Sequence, residues 1–210
     1  PVWYLAMEEY LAKQVEEELF ITWIVSPTVI FGRHQVMEAE VNVDFCRANG
    51  IAMYRRKSGG GCVYADEGNL MMSMISPNKH SEVVFQQFLD KISDVLRHWG
   101  LPAVKSEHND IMVEGKKVSG NACYALSTGT IVHGTMLVDV DLDMLQQAIT
   151  PSKEKLAKHG VKSVRQRVAN LAGLVTNPQL RTSTLVANRL SDALCLYQRE
   201  LTEQEIATID

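Results

Sequence analysis

Bare backbone and positive charge meet in one short stretch of this sequence, RRKSGGGCVYADEGN, which runs from Arg55 to Asn69. Three basic residues precede Ser58 and the consecutive glycines Gly59, Gly60 and Gly61. Consecutive glycines allow backbone N–H groups to approach a ligand closely and to form an anion-binding concavity. Basic side chains beside them add full charge, so the pattern favours a phosphate or a carboxylate as ligand. A flexible surface hairpin is the alternative for this stretch taken alone.

Two further stretches combine glycine with polar side chains. The segment GKKVSGNA contains Lys117 and follows Asn109 and Asp110, and the segment HGTMLVD begins at His133. Neither the P-loop pattern nor the dinucleotide fingerprint is present. Hairpins of this composition in one small domain are expected to converge on a single pocket.

Composition restricts the class of protein. The chain has 210 residues, of which 46% are hydrophobic and 22% charged, and this suits one globular domain spanning residues 1–210. The formal net charge of -4 argues against nucleic-acid binding through bulk charge. No apolar run reaches the length of about 18 residues that a membrane span needs. The cysteines lack metal or redox spacing and fit a reducing cytoplasm; they are Cys46, Cys62, Cys123 and Cys195.

The order of elements predicts an α+β fold, in which helices flank a mixed, largely antiparallel sheet. Apolar spacing predicts helices over residues 4–19, 81–99 and 185–201, of which the second is the clearest. Ser81 is a candidate cap for that helix, and Gly100 ends it. Several short β-branched or apolar runs predict strands, and Glu114-Gly115 forms the turn of a hairpin.

These motifs resemble those of the lipoate-protein ligase A family. The resemblance rests on four ordered motifs between about Leu5 and about Leu174, and IFGRHQ near the start also matches. They are RR-x-SGGG with Asp66 and Gly68-Asn69, G-x-K-x-SG after Asn109-Asp110, HGT from His133, and KSVRQRVANL from Lys162. The resemblance implies the catalytic-domain fold shared with biotin protein ligases.

The resemblance also implies an activity. The family activates lipoate with ATP to lipoyl-AMP, with Mg²⁺ expected beside ATP. It then transfers the lipoyl group to one lysine of a lipoyl domain, in 2-oxoacid dehydrogenase complexes or the glycine cleavage H protein. Lys117 matches the expected catalytic residue, since a positioned ammonium can stabilise charge on the phosphoryl oxygens and later on the carbonyl oxygen.

The same resemblance assigns a set of residues to ATP and lipoyl-AMP binding. Arg55 and Arg56 alternate along a strand and should face opposite sides, and the family pattern selects Arg56. Asp110 is a candidate metal ligand. The binding set is Arg56, Ser58, Gly59, Gly60, Gly61, Cys62, Val63, Tyr64, Asn69, Asn109, Asp110, Lys117, Ser119, Gly120, His133, Gly134 and Thr135.

Alternatives remain open for two side chains. His133 could act as a general base for the acceptor amine, or it could support a turn, because no acidic partner is identifiable from the sequence. Cys123 could be the nucleophile of an octanoyltransferase or a small buried apolar residue. In the cysteine-dependent octanoyltransferases the nucleophile lies upstream of the lysine hairpin, where this chain has SEHNDIMV without a cysteine. That departure favours the ligase.

Other functions compete with a complete ligase. Many family members carry a C-terminal accessory domain, for which this chain has no room, so adenylation could need a separate accessory chain. The main alternative is therefore a lipoyl or octanoyl transferase that uses a preformed acyl-adenylate or acyl carrier. A non-catalytic binding module and a biotin ligase are further rivals. The binding module is disfavoured because Arg56, the glycines and Lys117 are all intact. The biotin ligase is disfavoured because the loop has the SGGG form.

A basic segment offers a surface for an acidic partner. Six basic residues and one acidic residue lie between Lys153 and Arg167, although a solvated helix face would show the same pattern. Lipoyl domains of the family's acceptors are typically acidic, so we expect this segment to dock them or to close over the adenylate.

Salt dependence tests the docking role. We expect the rate of transfer to a lipoyl domain to fall more steeply with ionic strength than the rate of adenylation, because salt screens exposed charges. Both rates are measured over the same salt series. An equal dependence of the two steps would count against docking by this segment.

Overall fold

The computed structural model describes residues 2–150 and 164–209. Helices and strands alternate irregularly along the chain, as an α+β fold requires. The helices are α1 (Val2–Lys13), α2 (Met37–Glu40), α3 (Val43–Ala48), α4 (Ser81–His98), α5 (Leu142–Ala148), α6 (Val164–Arg167), α7 (Ser183–Leu194) and α8 (Glu203–Ile209). The strands are β1 (Leu19–Trp23), β2 (Thr28–Phe31), β3 (Ala52–Arg55), β4 (Val63–Ala65), β5 (Asn69–Ser76), β6 (Ala103–Lys105), β7 (Asp110–Val113), β8 (Lys116–Ala125) and β9 (Thr130–Leu137).

Two sheets organise the described residues. The larger has the order β1-β5-β9-β8-β7-β6, and every neighbouring pair in it is antiparallel. The smaller has the order β3-β2-β4, with β2 parallel to β3 and antiparallel to β4. The predicted mixed, largely antiparallel arrangement is confirmed.

Helix α4 covers one face of the large sheet because its apolar residues recur at helical spacing. Its inward face contributes Val84, Phe85, Phe88, Leu89, Ile92, Val95 and Leu96 to the main core. His80, and not Ser81, occupies the N-cap position and makes no side-chain cap bond. After the helix ends, Gly100 takes a φ of 86°, which glycine adopts without strain.

Helix α1 covers the opposite face of the sheet. Met7, Leu11 and Ala12 pack there with Ile75 of β5 and with Ile209 of α8. The helix ends at Lys13, so the prediction that it extends to residue 19 is wrong. The last predicted helix also differs, because α7 spans Ser183–Leu194 and a further short helix follows it.

A groove of about 700 Å³ follows the outer edge of β1. Residues of α1, α4, α7 and the segment 195–201 line it, and it contains none of the motif residues. The structure has no helix in its described ranges that is long and apolar enough to cross a membrane.

Truncation inside the main core should be costly. Phe88 is 1% exposed in α4, and we expect Phe88→Ala to lower the free energy of unfolding by about 3–5 kcal/mol through lost burial and a residual cavity. Urea unfolding followed by circular dichroism measures the change. Val83→Ala is the matched control, since Val83 is 49% exposed on the same helix, and its effect should stay within about 0.5 kcal/mol. Equal effects of the two variants would contradict this packing of α4.

Candidate active site

The glycine loop, residues 56–62 between β3 and β4, is organised around Arg56. The guanidinium is buried and donates five hydrogen bonds to the structure around it. Nε donates to Ser58 Oγ at 3.0 Å and to the Gly59 carbonyl at 3.2 Å. Nη2 donates to the carbonyls of Gly59 and Gly61 at 2.8 and 2.7 Å, and Nη1 to that of Ile30 at 3.1 Å. Burial lowers the pKa of Arg56, but an arginine keeps its charge in proteins.

Arg55 points the other way, as strand alternation predicts. It is exposed, and its Nη1 donates to the carbonyls of Gly32, Arg33 and Gln35 at 3.2, 3.0 and 2.7 Å. The inward arginine is therefore Arg56, although its side chain holds the loop together instead of extending toward open space.

The loop amides face away from this guanidinium. In a trans peptide the C=O and the following N–H point in opposite directions. Because the carbonyls of Gly59 and Gly61 face Arg56, the N–H groups that follow them, those of Gly60 and Cys62, point outward. Within residues 2–150 and 164–209, the N–H groups of Gly59, Gly60 and Gly61 donate to no protein acceptor. Such outward amides form an anion-binding concavity.

Glycines are required where the loop meets its support. Gly60 has a φ of 90°, which disfavours any side chain. A Cβ added to Gly32, at the end of β2, would lie 2.2 Å from the Gly60 carbonyl oxygen. On the other side, the Cβ position of Gly60 lies 3.7 Å from the Cβ of Ala122 in β8. The loop is thus seated between β2 and β8.

Strand register places several motif residues on the α1-facing side of the large sheet. Directly paired residues of antiparallel strands share a face. One row across the sheet is Trp23, Met71, Thr135 and Gly120, and the next is Ile21, Ser73, His133 and Ala122. The predicted convergence of the glycine loop, the lysine hairpin and the HGT motif is present in this geometry.

Lys117 folds back over Gly120 on this same face. A Cβ at Gly120 would lie 2.4 Å from Lys117 Nζ, so only glycine leaves room for the ammonium. Nζ forms an ion pair of 2.8 Å with Asp110 Oδ1, and Arg167 Nη2 pairs with Oδ2 of the same carboxylate. These three described groups, two cations and one carboxylate, together carry a charge of +1. A local positive charge suits an anionic ligand.

The same ion pairs bear on the metal assignment of Asp110. Both of its carboxylate oxygens already face cations. No group of three or more His, Cys, Asp or Glu side chains in the described part of the chain could hold a metal ion. These residues do not form a protein cage for Mg²⁺, and the role of Asp110 as a ligand stays a prediction.

His133 has an acidic partner that sequence reasoning missed. Its Nε2 lies 2.6 Å from Ser58 Oγ, and its Nδ1 lies 3.1 Å from Glu8 Oε2. Glu8 is 3% exposed and also accepts a hydrogen bond from the hydroxyl of Ser73. A signal was present in the sequence, because Glu8 lies at helical spacing from the apolar residue Leu11 and therefore on the buried face of α1.

Asn121 is a second residue that sequence reasoning missed. Its Nδ2 donates to the Asn109 carbonyl at 2.9 Å and supports the φ of 64° at Asn109. Its Oδ1 accepts from Ser119 Oγ at 3.1 Å and occupies the space above Gly134, where a Cβ would lie 1.9 Å away. Ser119 pairs with Met136, a residue of the α4-side core, so the Ser119 side chain lies on the face opposite His133.

The remaining predicted residues border the loop. Tyr64 is buried in the core of the small sheet, and burial raises its pKa. Asn69 is fully buried at the start of β5, where its Nδ2 donates to Met71 Sδ at 3.1 Å. Cys62 and Val63 are half-buried. Nucleotide contacts of these residues stay predictions.

Cys123 packs against the α4-side core, and burial raises the pKa of its thiol. It pairs with Val132, on the face opposite His133, so its surroundings are those of a structural cysteine. The basic segment from Lys153 and the start of the motif at Lys162 lie outside the described residues. Arg167, near the end of that segment, is described and contacts Asp110 of the site.

Comparison with known proteins identifies the family of this chain. Residues 1–194 match the family model described as the lipoyl protein ligase A/B catalytic domain. Lipoate–protein ligase 1 of Staphylococcus aureus is 39% identical over 181 residues, covering 85% of this chain and 55% of the relative. The chain thus spans about half the length of the curated relatives it matches.

Two solved structures are similar along nearly the whole chain. A bi-partite lipoate protein ligase of Thermoplasma acidophilum, studied with its E2 lipoyl domain, has a TM-score of 0.82 and 30% identity, covering 99% of this chain and 85% of that one. A lipoate-protein ligase A bound with ATP has a TM-score of 0.81 and 28% identity, covering 99% and 87%. The chain therefore belongs to the lipoyl protein ligase A/B catalytic-domain family.

Proposed function

We propose that this chain activates lipoate with ATP to lipoyl-AMP and transfers the lipoyl group to a specific lysine of lipoyl domains. One observation carries the proposal. The outward amides of the glycine loop and the Lys117 ammonium lie on the same face of the large sheet. Family membership and the ATP-bound neighbour support it.

The two halves of the site are within reach of one ligand. Gly60 lies against Ala122, and Lys117 Nζ lies over Gly120, two positions earlier on β8. Alternate residues of a strand are about 7 Å apart. A phosphate bound by the loop amides and the carboxylate attached to it can therefore both meet the ammonium.

In the first half-reaction the lipoate carboxylate attacks the α-phosphate of ATP, the bond between the α- and β-phosphates breaks, and pyrophosphate leaves. Negative charge develops on the phosphoryl oxygens, where the loop N–H groups and Lys117 can stabilise it. Arg167 would keep Asp110 neutralised when Lys117 turns toward the ligand. Mg²⁺ is expected to arrive with ATP, as the counter-ion of its phosphates.

In the second half-reaction the acceptor amine attacks the acyl carbon of lipoyl-AMP, the acyl–phosphate bond breaks, and AMP and one proton of the amine leave. Charge develops on the carbonyl oxygen, and the same ammonium can stabilise it. The mixed anhydride is already activated, so the chain needs no nucleophile of its own. The structural position of Cys123 favours this route over an acyl-enzyme.

The apolar part of lipoate needs an apolar surface. The row that contains Gly120 and Thr135 continues into Met71 and Trp23, which pack together in an apolar cluster. Trp23 stacks on Tyr4 of α1 with ring centroids 5.4 Å apart. An acyl chain extending from Lys117 would run toward these side chains.

The proposed acceptors are lipoyl domains of 2-oxoacid dehydrogenase complexes and the glycine cleavage H protein. The archaeal neighbour was studied with its E2 lipoyl domain, and its ligase is bi-partite. A separate accessory chain is accordingly proposed as a partner for adenylation. We place the reaction in the cytoplasm, since the four cysteines are unpaired.

The purified chain should release pyrophosphate from ATP in the presence of lipoate and add the lipoyl mass to an apo lipoyl domain. We expect Lys117→Ala to lower kcat/KM for adenylation by about 10²–10³, the usual effect of losing one charge-stabilising group. Lys116→Ala is the matched control, because Lys116 is exposed and adjacent.

Three outcomes separate the candidates. Transfer from supplied lipoyl-AMP without pyrophosphate release from ATP would identify a transferase that needs an accessory chain. A biotinyl or octanoyl mass in place of the lipoyl mass would identify another acyl group. Near-wild-type adenylation by folded Lys117→Ala would remove its catalytic role.

Gly60 tests the loop itself. We expect Gly60→Val to fold but to lose binding of a non-hydrolysable lipoyl-AMP analogue, because a side chain at a φ of 90° forces the loop to change shape. Isothermal titration measures the affinity, and Gly173→Val, outside the loop with open space around it and without a positive φ, is the control. Unchanged affinity in Gly60→Val would mean that the glycine loop does not bind the phosphate.

A further inference from the structure

A continuous chain of hydrogen bonds joins α1 to the glycine loop. It runs from Glu8 Oε2 to His133 Nδ1 at 3.1 Å, from His133 Nε2 to Ser58 Oγ at 2.6 Å, and from Ser58 Oγ to Arg56 Nε at 3.0 Å. The Glu8, Ser58 and Arg56 side chains are each less than a tenth exposed. Buried groups of this kind must satisfy one another, since water is largely excluded.

The two end groups, Glu8 and Arg56, fix the direction of these hydrogen bonds. Arg56 can only donate, so Ser58 Oγ accepts from Nε and has its own proton to donate onward. The Glu8 carboxylate accepts at its other oxygen from the hydroxyl of Ser73. It can likewise only accept from His133. One arrangement of a neutral imidazole satisfies both neighbours: Nδ1 carries the proton and donates to Glu8, and Nε2 accepts from Ser58.

The opposite tautomer fails at both ends. A proton on Nε2 could use the second lone pair of the Ser58 oxygen, which already accepts from Arg56, but the hydroxyl proton would then have no acceptor among these hydrogen-bonded groups. The lone pair of Nδ1 would face the Glu8 carboxylate. An unmet buried donor and opposed lone pairs both carry a free-energy cost.

We propose that Glu8 is a positioning residue for the glycine loop. Its carboxylate fixes His133 in the Nδ1–H tautomer, and His133 then holds Ser58 and Arg56 where they turn the loop carbonyls inward and the loop amides outward. The effect of Glu8 on ligand affinity rests on the proposed function of the loop, whereas its effect on the tautomer does not.

The order of hydroxyl, imidazole and carboxylate is also that of a nucleophilic triad. Ser58 is 2% exposed, and its oxygen receives the Arg56 N–H. The Ser58 hydroxyl is hydrogen-bonded to both Arg56 and His133 and supports the loop backbone. We therefore assign it a structural role in the glycine loop and not a role in covalent catalysis.

Nitrogen-15 NMR of the imidazole rings directly tests this relay, meaning the hydrogen bonds that link Glu8, His133, Ser58 and Arg56. In the ¹⁵N-labelled chain at neutral pH, the signals lost in His133→Gln identify His133, and we expect protonated Nδ1 and unprotonated Nε2. Glu8→Gln should shift the ring toward the Nε2–H tautomer, because an amide can donate to Nδ1. Glu9→Gln makes the same chemical change one residue along α1, at a salt bridge to the exposed Lys57, and should leave the tautomer unchanged.

Affinity for a non-hydrolysable lipoyl-AMP analogue gives the second readout. We expect Glu8→Gln and Ser58→Ala each to weaken binding about tenfold or more, the effect of losing a hydrogen bond linked to a charged group. Ser58→Ala should nonetheless keep the Nδ1–H tautomer, which a general loss of structure would not do.

The outcomes separate this inference from the proposed function. A wild-type His133 with the proton on Nε2, or on both nitrogens, would overturn the relay even if the analogue binds. A wild-type chain that binds no analogue while His133 carries only the Nδ1 proton would overturn the proposed function and not the relay.

Discussion

The site depends on the buried guanidinium of Arg56 bonded to the carbonyls of the glycine loop. The guanidinium inside this glycine-rich loop attracts the backbone carbonyls. Because peptide groups are planar, the N–H group on the other side of each such peptide then points away from the guanidinium. The conditions for this arrangement are local. Gly32 lets the loop backbone approach β2, and Gly60 adopts the positive φ that reverses the chain. Arg56 therefore shapes the surface that we propose binds the ligand.

Electrostatics in the other half of the site follow a similar logic. Asp110 holds Lys117 over Gly120 before any ligand is present, and Arg167 shares the carboxylate. A lysine on a flexible stem loses side-chain entropy when it is ordered, and an ion pair with a rigid strand residue supplies that order in advance. The chain as a whole carries a net charge of -4, whereas two cations share one carboxylate at Asp110.

The sequence was sufficient for the architecture and for the identity of the main motifs. The helical period of α4 and the strand-rich order predicted the antiparallel sheet, and glycine with lysine predicted an anion site. Pairings between distant strands were not accessible, because register depends on tertiary packing. For that reason neither the contact of Glu8 with His133 nor the support that Asn121 gives to Asn109 was predicted. Nor could the sequence show what Arg56 contacts, since burial against carbonyls cannot be distinguished from ligand contact in a one-dimensional pattern.

The central claim is that the amides of Gly59, Gly60 and Gly61, which donate to no acceptor in the described residues, bind the phosphate of the adenylate. A ¹H–¹⁵N correlation spectrum, recorded during titration with the non-hydrolysable lipoyl-AMP analogue, tests it most directly. We expect these three amide protons to move downfield as hydrogen bonds to the phosphate form. They should also become protected from exchange with solvent. Saturable binding that leaves all three amides unchanged in shift and exchange would contradict it.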